Sequence, residues 1–314
     1  MEDEWLVGHF ERHRPHLRAV AYRMLGSLAE ADDAVQDTWV RLSRSGADDI
    51  ENLGGWLTTI VARVCLNMLR SRNHRREESL AVHMPDPVVS LEGELQPEEQ
   101  ALLADSVGLA LLVILDTLSP DERLAFVLHD MFDLPFKEIA QVLGRTPAAA
   151  KQLASRARHR VKGAEIPADP DLARQREVVD AFFAAARQGD FDALVAVLHP
   201  DVVLRADTGA ENAEASLRRY GSAAVARLVV KGMRLWLAVA VTELRPVLVN
   251  GSAGVVVIMD GQPTTVISFT VAEGKIARID AIADPPRARK IAEITAVSAQ
   301  RPGRSVPPSS GPPR

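Results

Sequence analysis

Pro135-Phe-Lys-Glu-Ile-Ala-Gln-Val-Leu-Gly-Arg-Thr-Pro-Ala-Ala-Ala-Lys-Gln-Leu-Ala-Ser-Arg-Ala-Arg158 is the stretch from which the rest of the chain is best read. Phe136, Ile139, Ala140 and Leu143 recur at helical spacing and give a short helix one apolar face. Gly144 follows as the residue best able to end that helix in the left-handed conformation. Thr146 is a favoured N-cap for a second helix, and Pro147 stands at its first position, where the missing N–H is not needed. On the second helix Ala150, Leu153 and Ala157 face inward, leaving Lys151, Gln152, Ser155, Arg156 and Arg158 outward with no acid among them. This pattern is a helix-turn-helix, which lays its second helix in a DNA major groove. Arg and Lys pair there with guanine and Gln with adenine. Thr146, Lys151, Gln152, Ser155, Arg156 and Arg158 are therefore candidate DNA contacts; the pattern does not separate base readers from phosphate holders. The competing reading is a structural helical hairpin whose basic side is merely solvated.

The surrounding composition agrees with a DNA-facing protein only once charge is mapped along the chain. The net charge of the 314 residues is −5, with 47% hydrophobic and 25% charged residues. From Leu57 to Arg76 there is no acid, while Arg63, Arg70, Arg72, Arg75 and Arg76 are basic. From Pro147 to Lys162 the same holds. Two basic patches on an acidic chain suit a molecule with one face toward DNA and others toward protein. Apolar runs such as Ala253–Met259 are too short to span a bilayer, and the acidic opening Met1-Glu-Asp-Glu-Trp5 is unlike a secretory signal. A cytoplasmic location with no membrane partner is expected. Cys65, among Val64, Leu66 and Leu69, reads as a small buried hydrophobe rather than a reactive thiol. The sequence contains no metal-ligand spacing and no glycine-rich phosphate loop, so no cofactor is expected.

Organisation follows from breakers and periodicity. Residues 1–76 and 105–163 are helical blocks, and 77–104 is an acidic linker carrying Pro85, Pro87 and Pro97. After a short connection, Ile166–Asp171, the block 172–290 changes character. It opens with helices around Val178–Phe183 and Phe191–Leu198, and a third follows Tyr220. Strand-like runs come next: Leu235–Leu244, Val247–Val249, Gly254–Met259, Thr264–Val271 and Ile276–Ile282. Asn250-Gly251, Asp260-Gly261 and Glu273-Gly274 are hairpin signals between them. Helices followed by a meander give an α+β domain with a curved antiparallel sheet. The tail 298–314, with five prolines, reads as disordered.

Three segments carry a family resemblance. Gly26–Leu42 (GSLAEADDAVQDTWVRL) resembles region 2 of the extracytoplasmic-function (ECF) sigma factors, and Trp56–Arg70 is similar to the helix that follows it there. Leu118–His129, with the helix-turn-helix, resembles region 4. Val35, Trp39 and Leu42 form an apolar stripe, leaving Asp32, Asp33, Gln36 and Asp37 on other faces. The resemblance implies that those four grip the clamp of core RNA polymerase, with the flap as a further contact. It implies that the loop from Ser43 to Gly55 captures an unstacked promoter base. Arg63, Asn67 and Arg70 then face the −10 element, region 4 binds the −35 element, and Trp56 is read as a core anchor.

The last 150 or so residues go beyond a minimal member of that family. Their helices, the segment Leu198–Asp207 and the meander resemble a SnoaL-like domain of the cone-shaped NTF2-like fold, as carried by SigJ-type ECF factors. His83-Met-Pro-Asp-Pro87 is similar to that group's linker motif, with His83 in place of tryptophan. Asp207–Glu211 and Asp284–Ala288 partly match its two further motifs. The resemblance implies that Met84, Pro85, Asp86, Pro87, Asp207 and Asp284 meet between domains. Free-standing domains of this fold include enzymes, for which His199, Asp201, Asp207 and Asp280 are the acid/base candidates here. His199-Pro200 reads more simply as a cap on the second helix. The favoured reading is a sigma factor, not an enzyme, regulated in cis by its C-terminal domain, with a small ligand in that domain left open. The alternatives are a SnoaL-like isomerase or hydrolase fused to a DNA-binding module, and a repressor that binds DNA unaided.

Overall fold

In the first 76 residues apolar positions recur at helical spacing, and the chain folds there into α1 (Glu2–Leu25), α2 (Leu28–Ser45) and α3 (Leu53–Arg76). The computed structural model describes residues 2–45, 52–76, 84–91, 108–164, 168–239 and 242–299. Gly26, at φ 74°, makes the left-handed joint between α1 and α2. Leu17, Val20, Val35, Leu42, Leu57 and Leu66 interlock at the centre of the three helices. Trp39 packs against Phe10 with ring centroids 5.0 Å apart, and Trp56 is a half-buried packing residue at the same core. Cys65 is fully buried, and burial pushes its thiol far above the usual range, which leaves it unreactive. Of the loop assigned to base capture, residues 46–51 lie outside the described residues.

The second helical block comprises α4 (Leu109–Leu115), α5 (Pro120–Phe126), a π-turn over Val127–Met131, α6 (Phe136–Leu143) and α7 (Pro147–Ala164). A capping box opens α5: the Ser119 hydroxyl accepts from the Glu122 N–H, and the Glu122 carboxylate accepts from the Ser119 N–H. Although the sequence presents the two helical blocks as separate, one apolar core runs through both. Leu112, Leu124, Leu128, Ile139 and Ala157 continue the cluster that begins in α1.

The C-terminal unit consists of α8 (Leu172–Gln188), α9 (Phe191–Val197), β2 (Leu198–Asp207), a 3-10 turn (Ala210–Ala215), β3 (Leu217–Tyr220), α10 (Ser222–Val239), β4 (Thr242–Val249), β5 (Ser252–Met259), β6 (Gln262–Ala272), β7 (Lys275–Ile282) and α11 (Pro285–Ala299). With β1 (Val89–Ser90), the strands form one sheet in the order β1-β4-β5-β6-β7-β2-β3, and only the β2–β7 pairing is parallel. The three hairpins expected from sequence close on two-residue turns with both φ angles positive, as at Asn250 (49°) and Gly251 (78°). One sheet face meets α8–α10 through Val179, Phe182, Leu204, Val257 and Phe269. The other meets α11, α4 and the linker through Val256, Ile258, Ile282, Ile291, Val113 and Met84.

Several sequence expectations are corrected. Leu235–Val239 is helix, not strand, because it continues the helix whose core-facing positions Val225, Val229 and Met233 recur at helical spacing. Leu235 is simply an apolar residue on that helix's exposed side. The strand that follows continues through Pro246 instead of breaking there, since β1 covers only the Leu248–Val249 end of β4 and the rest is a sheet edge. The order is not helices and then a meander: β2 and β3 precede α10, and β2 returns to the centre of the sheet beside β7. His199-Pro200 does not cap α9 but lies in β2, where the register with β7 shifts between Leu198 and Val203. Residues 285–299 form a helix that the sequence reading passed over, including Ser298 and Ala299 of the expected tail. Residues 300–314 lie outside the described residues. Part of the expected linker is described, residues 84–91, and within it Val89–Ser90 joins the C-terminal sheet as its edge.

Candidate promoter-facing, polymerase-facing and interdomain sites

The helix-turn-helix is assembled by local chemistry. Gly144 sits at φ 66° at the end of α6. The Thr146 hydroxyl accepts from the Ala149 N–H at 3.2 Å, and Pro147 begins α7. Ala150, Leu153 and Ala157 are buried against the core, while Lys151, Gln152, Ser155 and Arg156 are exposed. The outward side of α7 is not uniformly free. Arg158, expected to face DNA, donates to Asp130 at 2.7 Å and is only partly exposed. Arg160 donates to Glu122 at 3.0 Å, and Arg156 lies 3.8 Å from the same carboxylate. The N-terminal half of α7, with Lys151, Gln152, Ser155 and the preceding Thr146, is thus the half presented outward without such pairing among the described residues. That is the end a recognition helix uses on base edges.

On α2 the side chains of Asp32, Asp33, Gln36 and Asp37 are exposed, opposite the buried Ala31, Ala34 and Val35. Asp32 is held by Arg18 of α1, which donates to it from Nε at 2.6 Å and from Nη2 at 3.1 Å. On α3, Arg63, Asn67 and Arg70 are exposed on one side. That side is turned to the second helical block. Arg70 donates to Asp121 at 2.8 Å, Arg145 donates to the same carboxylate at 2.9 Å, and Arg63 reaches the Gln141 carbonyl at 3.4 Å. Two of the three side chains expected to face the −10 element are therefore engaged by the second helical block in this arrangement. Asp121 was not anticipated, because its bridging role depends on how two distant helices meet.

The third site joins linker, sheet and α11. Asp207, at the end of β2, is buried and accepts from the Met84 N–H at 2.8 Å, from the Gly209 N–H at 3.0 Å and from Arg287 Nη1 at 2.8 Å. Arg287 also donates from Nε to Asp86 at 2.5 Å and from Nη2 to the Met84 carbonyl. Pro85 packs on Gly26, Pro87 is buried, and Asp284 stands at the start of α11, where it accepts from the Arg287 N–H at 3.5 Å. Asn250 adds a second tie: its side chain accepts from the Val88 N–H at 2.8 Å and donates to the Tyr22 hydroxyl at 3.2 Å. Tyr22 in turn donates to the Asp86 carbonyl at 2.8 Å. The structure thus gathers Met84, Pro85, Asp86, Pro87, Asp207 and Asp284 in one place, and adds Arg287, Asn250 and Tyr22, which the sequence reading did not single out. A signal for Arg287 was available: Asp284-Pro-Pro is a cap followed by prolines, the start of a helix whose first turn holds this arginine.

The acid/base candidates do not converge inside the cone. Along β2, Val202 and Leu204 face α8–α10, so the alternate residues Arg205 and Asp207 face the other way. Along β7, Ile279 faces inward, while Asp280 and Ile282 face outward. Asp280 sits beside Arg205, 3.9 Å away, and burial raises its carboxyl pKa against the opposing pull of Arg205, Arg278 and Arg218. His199 and Asp201 stand at the start of β2, where the Asp201 N–H donates to His199 Nδ1 at 3.1 Å. Among the described residues there is no cluster suited to a metal ion, and no helix long and apolar enough to cross a membrane.

Comparison with known proteins assigns each unit. The model for sigma-70 region 2 matches residues 9–75, that for sigma-70 region 4 matches 108–161, and that for the SnoaL-like domain matches 179–279. The chain is 39% identical to the ECF RNA polymerase sigma factor SigJ of Mycobacterium tuberculosis strain H37Rv, over 90% of this chain and 92% of that protein. It is 34% identical to the probable ECF RNA polymerase sigma factor SigI of the same strain, over 87% of this chain and 91% of that one. The crystal structure of the M. tuberculosis extracytoplasmic-function sigma factor SigJ matches with a TM-score of 0.72 at 36% identity, covering 90% of this chain and 97% of that one. Region 2, region 4 and the SnoaL-like domain thus follow one another along this chain, and it belongs to the ECF RNA polymerase sigma factors, with a SnoaL-like domain after region 4.

Proposed function

We propose that this chain directs core RNA polymerase to promoters, and that its SnoaL-like domain acts in cis as a regulator, not as an enzyme. In this reading Asp32, Asp33, Gln36 and Asp37 meet the polymerase clamp, Arg63, Asn67 and Arg70 bind the opened −10 element, and Thr146, Lys151, Gln152 and Ser155 bind the −35 element. The observation that carries the regulatory half is the bridging of Arg70 and Arg145 by Asp121. It closes the −10-facing helix onto region 4 while Arg287 ties the intervening linker to the C-terminal domain. A closed, silent form and an open, polymerase-ready form then exchange, and the C-terminal contacts weight the closed one. The outward placement of Asp207 and Asp280 supports a regulatory module over an acid/base enzyme. Run-off transcription with added core polymerase tests the reading. Full-length protein should initiate at a cognate promoter, Arg287→Ala should raise output several-fold, and charge reversal at Asp32 and Asp33 should abolish it. Absence of initiation by all three proteins would refute the sigma-factor assignment. Equal output from wild type and Arg287→Ala would refute the regulatory one.

A further inference from the structure

Where region 2, the linker and α11 meet, they line a half-open cavity of about 410 Å³, within the range of small-molecule sites. Its walls are largely apolar: Leu28 from α2, Val88 and Val89 from the linker, and Ile291 from α11, all buried. Its charged groups are unequally engaged. Asp86 is held by Arg287, and Asp284 accepts from the first turn of α11. Lys290 lines the cavity and makes no ion pair among the described residues. Arg18 also lines it; its Nε and Nη2 grip Asp32, which leaves the Nη1 edge of the fork without a bond among the described residues. An apolar chamber with two unsaturated cationic edges fits a ligand with an apolar body and one negative group.

We propose that this joint, rather than the inside of the cone, is a binding site for a small organic acid of about naphthyl size, its carboxylate held by Lys290 and Arg18. Such a ligand touches all three units at once, so it binds the closed arrangement and loses contacts when the units part. Its presence therefore favours the closed form by mass action. That consequence rests on the closed form being the silent one, whereas binding itself does not.

The test is calorimetry on the full chain with 2-naphthylacetate and its uncharged counterpart 2-(2-naphthyl)ethanol. Lys290→Glu and Ala29→Trp serve as variants at exposed positions of the lining. The expected result is one saturable site for the acid, binding about tenfold weaker for the alcohol, and a loss of about tenfold or more in each variant. Thermal unfolding should show both variants folded. Equal affinity for acid and alcohol, undiminished binding in both variants, or no heat at millimolar acid would overturn the site. If a chain ending at residue 299 bound the acid at least tenfold better than the full chain, the C-terminal tail would be the occupant and the proposal would fall. In run-off transcription, saturating acid should lower the wild-type output and leave Ala29→Trp unaffected; equal responses would overturn the coupling. Because Arg287→Ala tests the closed form without any ligand, failure of that reading and failure of this one are read separately.

Discussion

Arg287 concentrates the interdomain contact in one side chain, because a guanidinium can address three acceptors in a plane and an ammonium cannot. Removing it takes the Arg287 ion pair away from the buried Asp207, a loss that costs on the order of 3 kcal/mol. That penalty falls on the docked state, so Arg287→Ala should lose hydrogen-exchange protection at the Met84 amide, which donates to Asp207. Arg287→Lys should recover part of it. Equal exchange in wild type and the Ala variant would show that docking does not depend on this residue. Asn250 presents a cleaner substitution, since its backbone and side chain have separate tasks. Glycine retains the positive φ of the turn and the backbone bond to the Val88 carbonyl, and removes the side-chain bonds to the Val88 N–H and the Tyr22 hydroxyl. Asn250→Gly should therefore leave the β4–β5 hairpin intact while destabilising the linker contact by about 1–3 kcal/mol. Unchanged thermal stability would assign those bonds no net role.

At the scale of elements, what could be read from sequence is what is decided locally. The α6–α7 turn was legible because Gly144, Thr146 and Pro147 each fix one backbone requirement at one position. The three hairpins were legible for the same reason. What escaped was set by partners elsewhere in the chain: β1 exists because β4 lies beside it, and the outward side of α7 is divided by Glu122 of α5 and Asp130 of the π-turn. That division carries a prediction for DNA binding. Lys151→Ala or Gln152→Ala should cost about 1–3 kcal/mol on −35 DNA and relax preference at one position if the residue reads a base. Arg158→Ala should lower stability through its lost pair with Asp130 and leave base preference unchanged. Altered base preference for Arg158→Ala, measured by binding to a randomised −35 library, would reverse this ordering. Between elements, Asp121→Ala should release Arg70 and Arg145 together. Each partly exposed pair is worth only about 0.2–1 kcal/mol, so with both released binding of a single-stranded −10 oligonucleotide should rise about two- to thirtyfold. No change in anisotropy titrations would mean that region 4 does not obstruct α3.

For the whole molecule, the two helical units share one core, yet the linker between them is anchored on a third unit. Ending the chain at residue 283 removes α11, and with it Arg287 and the burial of Ala288 and Ile291 against the outer face of the sheet. The sheet, β1 and the contact of Asn250 with Val88 remain, so the linker keeps its support but loses its lock. Output in run-off transcription should rise above that of the full chain. Ending at residue 165 is a different perturbation. It removes β4, the partner of β1, and uncovers Val89, Leu109 and Val113, which the sheet buries. Region 4 is then positioned relative to region 2 by the helical contacts and by a linker that keeps its ties to Tyr22 and Gly26 but has lost its anchor on the sheet. Its effective concentration at a −35 element set by a bound region 2 falls as the tether loosens. The shorter chain should therefore give less transcript than the chain ending at 283, most visibly at high salt, where the Arg70–Asp121–Arg145 bridge is screened. Removing a purely inhibitory domain would give the opposite order, with the 165-residue chain the more active of the two. Equal output from full-length protein and both truncations would mean that the C-terminal domain does not act on transcription in cis.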